Sequence, residues 1–216
     1  VADVYLHKAA CIRDGVEPED WPPPWGDEPT LVRFDRALAE LRPELAERPL
    51  DASTGGWFKP DRTVGFWVRR MAQETVVHRV DAELAAGLPV SPIPADLAVD
   101  GVDELLALFL PYAVDAWGDS FADILDASPG RRLLLKTDGA SWLVSTGPGA
   151  VAVCRDPGQP DTSVDAVADA TVSGSPEALL RWVWNRETPG APSGTTVSGD
   201  GAAVDELRRC LVVAAQ

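Results

Sequence analysis

Basic side chains are scarce in this 216-residue chain, 19 Lys and Arg against 34 Asp and Glu, for a formal net charge of −15. So acidic a surface repels phosphate backbones and anionic membranes alike, which removes nucleic acid and the membrane surface from the expected partners. Cysteine is nearly as sparse. The three present, Cys11, Cys154 and Cys210, form no CxxC pair and keep no regular spacing, which fits reduced thiols in a cytoplasm better than a disulfide framework. No apolar run approaches the roughly 18 residues a membrane helix needs, and no charged-then-apolar leader opens the chain. Neither a membrane span nor a signal peptide is expected. Two histidines, His7 and His78, limit what any metal site can be built from. The chain also opens at Val1 with neither a Met nor a capping residue ahead of what already reads as a helix in progress; the expectation is that residues, up to a whole helix, precede Val1 in the parent protein.

What is there describes an ordinary globular protein, 45% hydrophobic with eight Trp, and long enough for one large domain or two small ones. "VADVYLHKAACIRDG" places Val4, His7, Ala10 and Cys11 on one helical face, with Gly15 as the stop. "VEPEDWPPPWGDEP" is a stiff loop, since three consecutive prolines forbid a helix. Leu31, Phe34, Leu38, Leu41 and Leu45 mark a second helix over 30–48. A third, capped by Asp61, runs to Ala86, and a fourth over 94–112 carries Leu97, Val102, Leu105, Leu106 and Phe109. Near Pro129 the texture changes. "RLLLKT", "SWLVST", "AVAVCRD" and "ADATVSG" read as strands, Ser175 opens a helix with Pro176 in its first turn, and a last helix covers 201–214. The fold class is therefore α+β, a helical bundle over 1–128 followed by a small α+β domain over 129–216.

On the third helix Val64, Trp67, Val68, Met71, Thr75, Ala82 and Ala85 form the apolar arc, with His78 inside it, Glu74 beside it and Asp81 farther along the same edge. Four-residue spacing brings Glu74 and His78 to one side of the helix, close enough to hold one ion. An ionised carboxylate facing a core is costly unless positive charge meets it, and a divalent metal is one way to meet it. A plain salt bridge between the two is the other reading. His7 and Cys11, also four apart, are further candidate donors, against ordinary roles for His7 as a groove residue and for Cys11 as a small buried hydrophobe. Arg70 and Arg79 point away from the pair on the helical wheel and read as partners for surface acids.

"VGFWVRRMAQETVVHRVDAELAAG" resembles the signature segment of the mycothiol-dependent maleylpyruvate isomerase family of actinobacteria, a branch of the DinB-like metal-binding four-helix bundles. "VADVYLHKAACIRDG", "IPADLAVDGVDELLALFLPY" and "VSGSPEALLRWVWNR" extend the similarity over essentially the whole chain. The resemblance implies a DinB-like bundle, here without its first helix, that carries a divalent metal, usually zinc, with a C-terminal domain that helps close the site. Glu74 and His78 then take the places of two metal ligands. The family's remaining histidine falls immediately before Val1, or His7 stands in for it. The resemblance also implies mycothiol as cosubstrate, its thiol deprotonated by the metal and added to an activated double bond, for isomerisation or for S-transfer. Arg186 of "WVWNRE" resembles a family arginine that would hold a substrate carboxylate; as a residue of the sequence alone it equally suits a helix C-terminus. Trp21, Trp25 and Trp57 are candidates to line a cleft.

Two further functions stay open at this level: a non-catalytic small-molecule binding or interaction protein that keeps the bundle without the metal, and, more remotely, a lipid binder, from the sterol-carrier-like texture of the C-terminal half. Substrate identity and oligomeric state are not encoded in any feature of the sequence.

Overall fold

A computed structural model describes residues 1–19, 21, 27–156 and 168–215. The chain divides into two compact units, Val1–Ala82 and Glu83–Gln216.

The first unit is helical. α1 (Ala2–Asp14) ends at Gly15, whose φ of 72° is the left-handed turn that glycine adopts without strain. α2 (Thr30–Ala46) packs along α1, and α3 (Val64–Ala85) follows a loop built on "STGGW". The cap of α3 is Thr63, two residues later than expected: its hydroxyl accepts from the Phe66 N–H, while Asp61 braces Thr63 by accepting from both its N–H and its hydroxyl. The stripe α2 buries follows the leucine row only in part. Leu41 is buried as expected, but Leu31 is exposed, and Arg33 and Ala37 are buried, because Arg33 is drawn inward by Asp3 and Glu28.

α3 is rotated relative to the arc read from its apolar residues. Val64, Trp67 and Met71 are buried as expected, but Val68, Thr75, Ala82 and Ala85 are exposed, and Phe66, Arg70, Gln73, Val76, Val77 and Val80 complete the buried face. Two buried polar side chains on that face, Arg70 and Gln73, are what a hydropathy pattern cannot assign. Trp67 anchors the loop before α3, its indole N–H donating to Thr54 Oγ1 and to the Gly55 carbonyl. Gly55 in turn donates from its N–H to the Cys11 carbonyl.

The second unit is mixed α+β. α4 (Ala95–Asp103), a π-helical turn (Glu104–Phe109) and α5 (Leu110–Ala116) form one interrupted helix. Pro111, which has no N–H to donate, sits at the end of the π turn, where the shift in hydrogen-bond register accommodates it. A 3-10 turn (Gly118–Phe121) and the short α6 (Ala122–Leu125) lead to the sheet. Its strands are β1 (Arg131–Thr137), β2 (Ala140–Gly147), β3 (Ala150–Arg155), β4 (Ala170–Gly174) and β5 (Thr195–Gly199), in the order β3-β2-β1-β4-β5. β1, β2 and β3 form an antiparallel meander, β4 lies parallel to β1, and β5 returns antiparallel beside β4. β5 went unread in the sequence because "TTVSG" carries one apolar residue and is exposed along most of its length. α7 (Pro176–Val183) lies between β4 and β5 in the chain and α8 (Gly201–Ala214) follows β5; Ser175 caps α7 as the sequence suggests, accepting from the Ala178 N–H, and Asp200 caps α8, accepting from the Ala202 N–H.

Register puts Leu133, Leu135, Trp142, Val144, Ala170 and Val172 on one face, all buried, with α7 and α8 against β1 and β4. The strands begin where the sequence texture changes near Pro129, but the compact units part earlier, because α4 packs on α7 and α5 on β3 and α8. Trp142 and Trp184 tie this region down, their indole N–H groups donating to Asp103 Oδ1 and to the Gly101 carbonyl. All three cysteines are free thiols; Cys11 and Cys210 are buried, Cys154 is exposed, and burial pushes the Cys210 thiol up to about 12. Among the described residues, no helix is long and apolar enough to cross a membrane.

A Cβ on Gly55 would lie 2.2 Å from the backbone carbonyl carbon of Val16, a contact that only main-chain movement relieves. Gly55→Ala is expected to destabilise the first unit by about 1–3 kcal/mol, measured by urea unfolding; an unchanged midpoint would refute this account of the loop.

Candidate metal centre

The chemistry-bearing groups of the first unit gather along α3. α1 and α3 cross antiparallel: the Tyr5 hydroxyl bonds with Thr75 Oγ1, while Lys8, one turn farther along α1, reaches back to the Trp67 ring, with Nζ 4.7 Å from its centroid. Thr75 donates its hydroxyl to the Met71 carbonyl, so Tyr5 meets a fixed acceptor.

Beside this crossing, Glu74 and His78 are brought together as their spacing requires, with Oε1 of the carboxylate 3.2 Å from Nε2 of the ring. Each has a second partner. Arg70 Nη2 donates to Glu74 Oε2 at 2.8 Å, and Asp81 Oδ2 lies 2.9 Å from His78 Nδ1. Arg70 therefore does not turn away from the pair. It is buried on the same side, because a four-residue step up the helix aligns it with Glu74 just as the next step aligns Glu74 with His78. Burial works to raise the Glu74 pKa, but the His78 and Arg70 hydrogen bonds and the Arg70 charge overcome it and hold the carboxyl at about 2. His78 is raised above its ordinary value, first by its hydrogen bond to Glu74, with burial opposing and Asp81 adding to the rise. Arg70, Glu74, His78 and Asp81 thus form one alternating row of charge, legible afterwards as steps of four, four and three residues.

The remaining candidates lie apart from that row. His7 is buried, its Nδ1 at 2.8 Å from Lys8 Nζ and 3.6 Å from Cys11 Sγ, its Nε2 at 3.8 Å from Glu17, and its ring against Trp21. Burial and the Lys8 charge lower its pKa; burial likewise lowers that of Lys8 and raises that of Cys11. Among the described residues, no hydrogen bond or ion pair joins His7 to Glu74 or His78, and no group of three His, Cys, Asp or Glu side chains is arranged to hold one ion. Asp81 does not complete such a group because it meets the opposite edge of the His78 ring. Trp57 packs edge-on against Phe58 and Phe66, within an aromatic cluster that includes Trp67; Trp25 lies outside the described residues. In the second unit, Arg186 follows Asn185, whose φ of 57° ends α7, and its Nη1 donates to the Trp184 carbonyl at 2.6 Å.

A donor set of one ionised carboxylate and one imidazole, directed at each other and each tied from behind, suits a divalent cation as two of its ligands. Family models match along nearly the whole chain: the mycothiol maleylpyruvate isomerase N-terminal domain over residues 3–83 and the MDMPI C-terminal domain over residues 96–206. The chain belongs to the mycothiol maleylpyruvate isomerase family. Within that family's N-terminal domain fall Arg70, Glu74, His78 and Asp81, and within its C-terminal domain falls Arg186. No curated protein matches the chain. Among solved structures, it is similar to a UbiJ-SCP2 ubiquinone synthesis protein at 21% identity, covering 57% of this chain and 94% of that one with a TM-score of 0.34. It is also similar to sterol carrier protein 2 like 2 from Aedes aegypti at 19% identity, covering 64% and 95%, with a TM-score of 0.25. Neither superposition is close enough to speak for a ligand.

The two pKa shifts set a window. Glu74, drawn from 4.5 to about 2, contributes stability that is present above pH 4.5 and lost as pH falls toward 2; His78, raised from 6.5, contributes stability that is complete below pH 6.5 and lost as pH rises through its folded value. Between these limits the metal-free pair supports the fold most. Glu74→Gln should narrow the gap in urea midpoint to wild type on both sides of that window and bring the His78 titration back toward its ordinary range by proton NMR. A gap that stays constant from about pH 3 to about pH 9 contradicts the coupling.

Proposed function

We propose that the chain is a metal-dependent enzyme using mycothiol or a similar low-molecular-weight thiol, an isomerase or S-transferase acting on a small carboxylate-bearing substrate. The observation that supports this most is Glu74: a largely buried carboxylate kept ionised, with one oxygen turned to the imidazole of His78. Glu74 and His78 would hold the ion, zinc being the expected metal, and when bound it would supply the positive charge that keeps a thiol as thiolate near neutral pH. His7 on α1 is the remaining histidine of the chain and the candidate third donor.

The chain's own residues do the rest. Arg70 neutralises the carboxylate without competing for His78, and Lys8 and Tyr5 place a cation and a hydroxyl on the α1 side of Glu74. Arg186 is proposed to hold the substrate carboxylate through its guanidinium, as a planar fork suited to two oxygens. A cytoplasmic setting accords with three free thiols. The second reading, a binding protein that has kept the bundle without the metal, draws on the lack of a three-donor cluster among the described residues.

Metal content of the purified chain separates the two readings. Glu74→Ala and His78→Ala are each expected to weaken zinc binding by at least about tenfold, measured by plasma mass spectrometry and chelator competition; an unchanged zinc content in both variants removes Glu74 and His78 as ligands, and a wild type that takes up no zinc moves the function to the second reading. In thiol-addition assays, Arg186→Gln should raise KM for a carboxylate substrate by about tenfold or more while leaving the thiol KM unchanged. An unaltered substrate KM assigns Arg186 to the helix end alone.

A further inference from the structure

We propose that Arg70 and Asp81 are positioning residues that decide which oxygen of Glu74 and which nitrogen of His78 face a shared ion; this rests on the metal reading above. Left to themselves, both donors are ambiguous. A carboxylate turns about a broad, two-fold terminal torsion, and an imidazole presents either nitrogen according to its tautomer and ring flip. Here each ambiguity is removed by one contact from behind. Oε2 of Glu74 is committed to Arg70 Nη2 at 2.8 Å, which leaves Oε1 facing His78. Nδ1 of His78 is committed to Asp81 Oδ2 at 2.9 Å, which places Nε2, 3.2 Å from Oε1, on the shared side.

The two outer residues differ in burial, and the difference fits their tasks. Arg70 is 5% exposed, so its guanidinium is a fixed fork in a place where a second carboxylate oxygen would otherwise be left without a donor. The Asp81 side chain is 38% exposed and acts on the site through the ring it orients. In the metal-free pair Nε2–H donates to Glu74 Oε1; by accepting the Nδ1 proton Asp81 favours, once the ring gives up the other, the tautomer whose Nε2 lone pair faces a cation, and it makes that nitrogen a better donor. Neither residue can be a ligand itself in this arrangement, since one carries a positive charge and the other faces the far edge of the ring.

Asp81 gives the cleaner test, because substitution of a partly exposed side chain leaves the fold intact; metal-free melting temperatures of Asp81→Ala and Asp81→Asn should stay within about 2 °C of wild type. Zinc affinity by chelator competition is expected to fall about 10- to 100-fold in Asp81→Ala and less in Asp81→Asn, whose amide oxygen still accepts the Nδ1 proton. Arg70→Lys should lose less than Arg70→Gln, since a lysine retains the charge. The second readout is independent of metal: ring nitrogen-15 shifts of His78 in the metal-free protein, recorded well above its pKa, should report a larger share of the Nδ1–H tautomer in wild type than in Asp81→Ala, where only the Nε2–H bond to Glu74 remains. Zinc uptake by wild type with equal affinity in Asp81→Ala and an unmoved tautomer overturns this inference alone. No uptake by wild type overturns the metal reading, and the positioning of an ion with it.

Discussion

A carboxylate taken out of water must be met by positive charge or give up its own, and around Glu74 this constraint organises the middle of α3. Arg70 and His78 meet it from the turns below and above, and Asp81 compensates the ring in turn. Because all four lie on a single helix, the row is held by helical geometry more than by the packing of one element on another. That makes the donor pair a property of α3 and leaves the surrounding helices to supply what the pair lacks. α1 contributes Tyr5 and Lys8 on the crossing, and the "STGGW" loop contributes the anchor that keeps Trp67 under the Lys8 ammonium.

The second unit obeys a different constraint, the satisfaction of buried indole N–H groups. Trp142 and Trp184 bury two large rings, and each needs an acceptor; Asp103 and the Gly101 carbonyl provide them, both at the end of α4. These bonds tie the sheet and α7 to the interrupted helix just before its π turn. Arg186 is placed by the same economy of partners: the left-handed Asn185 closes α7 and turns the arginine back over the carbonyl of Trp184. Its proposed role asks the guanidinium to exchange a backbone carbonyl for a substrate carboxylate, a better acceptor for a cation.

Much of this was readable in advance, and the misreadings have a common cause. The helix ends at Gly15 and Ser175 are legible because a cap is a contact within a few residues. A helical wheel turns Arg70 outward because it weighs apolarity and cannot see that a buried guanidinium is paired. Leu31 and Arg33 exchanged roles for the same reason: Asp3 and Glu28, distant or loop-borne, drew the arginine inward. The edge strand β5 was missed since its ladder is provided by β4 and needs little from its own side chains.

By itself, the sequence determined the alternation of helices and strands, the α+β class and the pairing of Glu74 with His78, all of which depend on neighbours within about one helical turn or one strand repeat. Tertiary structure alone decided that β4 runs parallel to β1, that α3 buries Arg70 beside Glu74, and that His7 turns to Lys8, Cys11 and Glu17 in place of the donor pair. Those outcomes follow from which side chains can satisfy one another across space. Local spacing carries no record of partners that the chain brings together only when it folds.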